Sequence, residues 1–326
     1  MASPLSCWVI SDGRRGIENQ ALGLAEAAER LRPLEIDIKT VSATAAFKVS
    51  QPRLQLKLKS RPEDYGLKPP YPQIAIGCGR QAVAPLMALK KSLGKEIFTV
   101  YIQDPRLSPK NFDLVIAPEH DGLKGSNVVS IIGSPNRITK ERMIVETLKF
   151  GEKLATLPSP RITMLIGGKS KSHHLDEDRH REHLKAADTI LGQKMSLLIT
   201  TSRRTPEFAI EDYNDLASKN ENVWVWNGNG ENPYFAFLGA GDAILVTQDS
   251  TNMLTEACTT GKPVFTLPMA GKPGKFAILY KSLADRCNLS PFSGDFDAPD
   301  YSALKETERA AEFLWQSFDT KLTANG

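Results

Sequence analysis

The chain has 326 residues, of which 41% are apolar and 24% charged, and its formal net charge is only +3. Those values describe a soluble globular protein with room for two domains, each long enough to bury its own core. The near-balanced charge gives no general field for nucleic acid, and nothing approaches the roughly 18 consecutive apolar residues that span a bilayer. The N-terminus MASPLSCWVISDG has neither the basic region nor the long apolar stretch of a signal peptide. Cys7, Cys78, Cys258 and Cys287 lie far apart with no CxxC pair, which argues against a zinc ribbon or a disulfide framework. Cys7 and Cys78 sit in apolar strand-like runs and read as small buried hydrophobes. A reducing, cytoplasmic setting is the expectation.

The first predicted element is a strand over Cys7–Ile10, ending in SDGRRG. A helix follows from about Glu18 to Leu31, with apolar residues at the helical period. Strands are expected at Glu35–Thr40, Gln73–Gly77, Phe98–Gln103, Asp113–Ala117 and Val128–Ile132. A helix from about Gln81 to Lys91 lies among them and is closed by Gly94. A helical region near Lys140–Leu154 leads into ATLPSPR (155–161), whose two prolines mark it as a linker. The pattern then restarts, with strands at Ile162–Ile166, Ser196–Thr200, Asn222–Trp226, Ala243–Thr247 and Pro263–Leu267. Helices are expected near 176–191, 205–217, 233–239 and 251–260, and a final helix near Ser302–Phe318 closes the chain. Strand and helix alternating in this way predict parallel sheets covered on both faces. The predicted architecture is α/β, with two Rossmann-like domains facing a cleft, divided as residues 1–154 and 155–326.

Chemistry-bearing residues gather in the loops that follow strands, where open α/β sheets bind their ligands. In the first such loop, Gly13 and Gly16 allow close backbone approach and Arg14 and Arg15 can clamp an anion. Asp12 and Glu18 are each candidates for a general base. Gly77-Cys78-Gly79-Arg80 brings another strand to a helix start, which suits either an anion site or simple close packing of helix on strand. Gln103-Asp104-Pro105-Arg106 ends a further strand and offers Asp104 and Arg106.

In the second half, Gly167-Gly168-Lys169-Ser170 resembles a phosphate loop. The Walker spacing would need glycine where Thr163 stands, so a P-loop NTPase is rejected. A glycine turn with Lys169 and Ser170 can still cradle a diphosphate, with Ser202 and Arg203 completing the pocket, unless Ser202 or Thr205 simply caps a helix. The most informative stretch is AILVTQDSTNMLTEACTTGKPVFTLP (243–268), a strand, a polar turn, a short helix and a Gly-Lys-Pro stop. It places Asp249, Ser250, Thr251 and Asn252 at the sheet rim and Glu256 one turn further in, like the nucleotide-sugar site of two-domain glycosyltransferases. His173, His174, His180 and His183 cluster without HExxH or a cysteine partner. They read as one polar, solvated helix face rather than a metal site. Residues 47–69 alternate Leu54, Leu56 and Leu58 with Gln55, Lys57 and Lys59. That pattern suits either an interfacial patch on anionic lipid or an edge strand protected by lysines.

Taken together, Trp8–Ala27 (WVISDGRRGIENQALGLAEA), the Gly77–Arg80 turn, Gln103–Arg106, FDLVIAPEHD (112–121) and the Thr247–Pro263 motif resemble the mitochondrial fission "elongated mitochondria" family over nearly the whole chain. The chain departs from that family at Asn136 and Ala277, where histidine is frequent. The resemblance implies the two-Rossmann fold of B-type glycosyltransferases. Bacterial members carry a nucleoside-diphosphate-sugar epimerase label, while plant members are associated with recruiting a dynamin-related protein to the outer mitochondrial surface.

The leading expectation is a metal-independent glycosyltransferase. It would take a nucleoside-diphosphate sugar as substrate, need no cofactor, and act on a lipid or glycan acceptor at the membrane inner face. A nucleotide-sugar epimerase and a non-catalytic membrane-surface adaptor are the alternatives.

Overall fold

The computed structural model describes residues 3–41 and 60–324. Two compact units divide the chain, Met1–Arg137 with Lys305–Gly326, and Ile138–Leu304.

Unit 1 begins with β1 (Leu5–Ser11), α1 (Arg15–Leu31) and β2 (Leu34–Thr40). After one 3-10 turn at Pro62–Tyr65 come β3 (Ile74–Cys78), α2 (Arg80–Leu93), β4 (Phe98–Ile102), β5 (Leu114–Pro118) and β6 (Val128–Ile131). The six strands are all parallel, in the order β2-β1-β3-β4-β5-β6. Successive residues of β1 serve opposite faces, as the period of two requires. Cys7 and Val9 pack under α1 and the C-terminal helix, whereas Trp8 and Ile10 pack on the α2 side. Both faces are covered, which is why the strands read as continuous apolar runs rather than alternating ones.

Of the stretch 47–69, expected as a lipid-binding patch or an edge strand, residues 47–59 lie outside the described residues, Leu54, Leu56 and Leu58 among them. Leu67, from its end, is buried against Trp8 and Phe112.

Unit 2 starts with α3 (Lys140–Lys149) and α4 (Gly151–Ala155), then β7 (Arg161–Ile166), β8 (His173–His174), α5 (Glu177–Gly192) and β9 (Ser196–Thr201). It continues through α6 (Glu207–Lys219), β10 (Val223–Trp226), α7 (Tyr234–Ala240), β11 (Ala243–Thr247) and α8 (Thr251–Thr259). The remaining elements are β12 (Val264–Leu267), β13 (Ala270–Gly271), α9 (Phe276–Cys287) and β14 (Ser290–Pro291). Its parallel sheet runs β10-β9-β7-β11-β12-β14, and β8 pairs antiparallel with β13 beside it. Ile162, Met164 and Ile166 pack on one face, under α5 and α6. Leu198 and Trp224 pack on the other with Phe237 of α7. The carbonyls at the end of α7 are gathered by one ammonium. Lys262 Nζ donates to Leu238 O at 2.7 Å, Gly239 O at 2.6 Å and Gly241 O at 2.5 Å, a side-chain cap for carbonyls that a helix leaves unpaired.

Three expectations differ from what the fold contains. The division was expected at residue 154/155, but α3 packs within unit 2. Gly239 of α7 has no room for a Cβ, which would lie 2.4 Å from Thr147 Oγ1 and 2.9 Å from Met143 O, so the two helices meet at backbone distance. The segment 155–161, expected as a linker, feeds β7 of the same unit. Its Leu157 is buried with Phe237, and Pro160 O accepts from Ser196 N at 2.9 Å. The last helix, Glu306–Thr323, completes unit 1 instead of the second domain. Trp315 Nε1 donates to Ala28 O at 3.0 Å, and Asn136 N donates to Thr307 Oγ1 at 3.0 Å. Helix α9 had no counterpart among the predicted elements.

Candidate functional site

In unit 2 the chain leaves β7 towards β9 and β10, then returns to lay β11 and β12 on the other side. The order therefore reverses between β7 and β11, and a crevice opens beyond their carboxyl ends at such a reversal. The loop after β7 is Gly167–Ser170, and the segment after β11 is Gln248–Asn252. The two motifs picked from the sequence thus flank one switch point.

They are stitched to each other by buried hydrogen bonds. Gly167 N donates to Thr247 Oγ1 at 2.7 Å, Thr247 Oγ1 donates to Asp249 Oδ1 at 2.7 Å, and Gly168 N donates to Asp249 Oδ2 at 3.0 Å. Arg204 pairs with the same carboxylate at 3.0 Å and donates to Lys169 O at 2.9 Å. Neither glycine has space for a side chain. A Cβ on Gly167 would stand 2.0 Å from Asp249 Oδ1, and one on Gly168 would stand 1.8 Å from Arg204 O. Lys169 N donates to Arg204 O at 3.2 Å and Ser170 N to His173 O at 2.8 Å.

Four successive amides of the loop are therefore committed to protein partners, not presented as a cradle. Asp249, expected to touch sugar or phosphate, instead spends its acceptors on the loop. Ser202 is similarly engaged: its amide donates to Thr205 Oγ1 at 2.9 Å, and its hydroxyl accepts from Arg204 N at 3.2 Å. What the loops expose are cationic side chains, Lys169 and Arg203, with the Arg204 guanidinium half-exposed beside them.

Ser250 caps α8, its hydroxyl accepting from Met253 N at 3.4 Å. Thr251 and Asn252 form the first turn and are partly exposed. Glu256 lies in the next turn, and its Oε2 accepts the hydroxyl of Tyr234, the first residue of α7. Burial pushes the Glu256 carboxyl up to about 7, with the Tyr234 hydrogen bond acting against that rise. The same enclosure holds the Tyr234 phenol well above its ordinary value, first through desolvation and then through Glu256. Tyr234 was missed from the sequence. It sits 22 positions from its partner, and no spacing rule joins them.

Unit 1 has its own reversal, between β1 and β3. Asp12 follows β1 and pairs with Arg14 at 2.6 Å, so both residues expected to face a ligand face each other. Gly13 has φ +78°, and its amide donates to Ser11 Oγ at 3.0 Å. Glu18 lies in the first turn of α1. Gly79, with φ +80°, starts α2 against Ile17, and Arg80 beside it is exposed. Beneath these loops Gln20 Oε1 accepts from Gln103 Nε2 at 3.1 Å and from Cys78 Sγ at 3.3 Å. Gln103 itself holds φ +89°, as Arg106 holds φ +56°. Asp104 accepts from Arg106 N at 2.8 Å and pairs with its guanidinium at 3.2 Å. The Gln20–Gln103 link between α1 and the end of β4 was not foreseen. Positive φ at a non-glycine residue was its only trace, and that is visible only in coordinates.

The histidines correct the sequence reading. His180 and His183 face inward from α5, 2% and 0% exposed, and His173 is 4% exposed. His180 Nε2 meets Asp212 Oδ2 at 3.0 Å, with its ring edge-on to Phe208 and Tyr213. His183 Nε2 meets Pro268 O at 2.7 Å. The dense Asp, Glu and Arg neighbours in sequence occupy the opposite face of the helix. Among the described residues no group of three or more His, Cys, Asp or Glu could hold a metal ion.

The description "Mitochondrial fission ELM1" matches residues 15–318. The chain belongs to the mitochondrial fission ELM1 family. Its similarity to the mitochondrial fission protein ELM1 of Arabidopsis thaliana is 28% identity over 266 residues, covering 74% of this chain and 62% of the plant protein, less than two thirds of that protein's length. Among solved structures, the UDP-GlcNAc 2-epimerase from Neisseria meningitidis bound to UDP-GlcNAc aligns with a TM-score of 0.52 at 12% identity, covering 97% of this chain and 100% of the other. The spinosyn forosaminyltransferase SpnP aligns with a TM-score of 0.50 at 13% identity, covering 99% and 93%. At these identities the likeness is one of fold. The two Rossmann-like units are those of the glycosyltransferase-B type, so this ELM1-family member carries that fold.

Proposed function

We propose that unit 2 binds a nucleoside-diphosphate sugar and that the protein transfers the sugar to an acceptor without a metal. The observation that carries this reading is the part-buried Glu256 carboxylate in the second turn of α8, behind a helix start at the β7–β11 switch point. A carboxylate so placed accepts the hydroxyls of a ribose, and the first turn of α8 favours the adjoining phosphates. Lys169, Arg203 and Arg204 supply positive charge at the same rim, enough to stabilise a departing diphosphate. The epimerase co-structure with UDP-GlcNAc supports a nucleotide sugar as the ligand class. In unit 1, Asp12 and Glu18 are the carboxylates offered for removing an acceptor proton. Glu18 is the better base, because Asp12 is already paired with Arg14.

The test is thermal stabilisation of the purified protein by nucleoside diphosphates and nucleotide sugars. A ligand at about a hundred times its Kd adds roughly 2.7 kcal/mol. Stabilisation by one nucleotide, lost in Glu256→Ala, is expected. A flat response to every nucleotide defeats the reading.

A second reading has an observation of its own. The Gly167–Ser170 amides are turned inward, so the loop holds itself closed rather than cradling phosphate. That favours an adaptor that has kept the fold, consistent with the fission family. Such an adaptor meets a membrane surface through residues 47–69. Vesicle binding lost on changing Leu54, Leu56 and Leu58 to Asp, with nucleotide binding absent from the start, is its signature.

A further inference from the structure

The Tyr234–Glu256 pair asks for an explanation that helix packing does not give. A carboxylate has two oxygens and about four lone-pair positions. Here Oε2 is taken by a phenol that comes from a different helix and is itself part-buried. Tyr234 is held in turn by its own backbone. It opens α7 directly after Pro233, and its amide donates to Asn232 Oδ1 at 3.0 Å. The far end of α7 is locked by Lys262. The phenol therefore sits on a fixed element and reaches across to α8.

We infer that Tyr234 is a positioning residue for Glu256, its hydroxyl fixing one carboxylate oxygen so that the other is presented to a ribose hydroxyl. This rests on the nucleotide-binding reading of unit 2. A diol donates hydrogen bonds, so only the ionised carboxylate can receive it fully. Burial works against ionisation and brings the group to about 7, while the Tyr234 hydrogen bond works for it. Tyr234 is the titratable side chain facing it from α7. Among the described residues no charged group acts on it from β11 or α9. Affinity for a nucleoside diphosphate then rises with pH through about 7 and levels off above, when Glu256 is ionised. Without the phenol the midpoint moves upward. A displacement of one pH unit corresponds to about a tenfold loss of affinity below the midpoint.

The experiment has two arms, both on the full chain. Calorimetric titration with nucleoside diphosphates over about pH 5.5 to 8.5 compares wild type with Tyr234→Phe and Glu256→Gln. Carbon-13 NMR of the glutamate carboxyls follows Glu256 in the ligand-free proteins. In Tyr234→Phe, which removes one oxygen from a well-packed ring, the affinity midpoint and the carboxyl titration are expected to shift upward together. Glu256→Gln should flatten the pH dependence altogether. An unchanged midpoint in Tyr234→Phe, or a Glu256 carboxyl titrating in the ordinary range near 4.3, overturns the inference. If no nucleotide binds but the carboxyl titration still moves with Tyr234→Phe, the donor reading falls, and the diol role with it. The positioning of Glu256 by Tyr234 then stands.

Discussion

Gly168 has backbone on the side where a residue would carry its Cβ. The nearest atom is the Arg204 carbonyl oxygen, which cannot swing away as a side-chain tip would. Gly168→Ala is therefore expected to destabilise unit 2 by about 1–3 kcal/mol or more, read as a fall in melting temperature. The matched control is Gly192, at the exposed end of α5, with nothing within 4 Å of an added Cβ. Gly192→Ala should be neutral or stabilising by up to about 1 kcal/mol. Equal losses at both glycines would show that close approach is not what Gly168 serves. The pair also marks what could be read from sequence at this scale. Two glycines after a strand signalled a loop without side chains. They could not reveal whether the intimacy was with a ligand or with Asp249 and Arg204. Glu256 inside the helix was legible from residue order, whereas Ser250, read as a ligand contact, caps α8. Tyr234 was not legible, since only folding brings α7 beside α8.

The elements tell a similar story through α5. Its charged residues outnumber its apolar ones, and that composition hid which histidines look inward. Periodicity with His counted as polar gives a solvated helix, whereas the ring edges pack on Phe208 and Tyr213. Burial has a consequence in pH. Desolvation holds His183 down to about 4 and lowers His180 as well, against about 6.5 in an unfolded chain. The unfolded state thus binds more protons between those values. The stability of unit 2 is complete above about pH 6.5 and declines as the pH falls towards 4. For His183 the full loss amounts to roughly 3 kcal/mol. His183→Gln keeps a donor at the Nε2 position for Pro268 O and removes the titration. Chemical denaturation from pH 7 to 4.5 should show a shallower decline in that variant. An identical slope would place the acid sensitivity elsewhere.

At the scale of the whole molecule, the alternation of strand and helix gave the α/β class and most strands to within a residue or two. It gave them because buried parallel strands are runs of Val, Ile and Leu with little ambiguity. Ownership of elements was less visible. The Lys140–Leu154 helices and the last helix were assigned by adjacency in the chain, but packing assigns them otherwise. Their signals, Gly239 against Met143 and Trp315 against Ala28, are tertiary. Trp315 is buried among Leu24, Ala28, Leu314 and Phe318. Trp315→Ala should cost unit 1 about 3–5 kcal/mol. Calorimetry should then show a lowered transition for unit 1 with that of unit 2 in place. Loss of both transitions together would mean that the units do not melt separately.

The return of the last helix to unit 1 has a consequence for biosynthesis. A ribosome releases the strands of that unit early, yet the helix that covers Cys7, Val9, Phe98 and Val100 arrives only after everything in between. The nascent chain therefore carries an uncovered apolar sheet face while the inserted unit emerges and folds. Unit 2, continuous in sequence, can finish first. A premature stop before Trp315 would leave that face bare on a released polypeptide, a substrate for chaperones and proteases instead of a shortened but working protein.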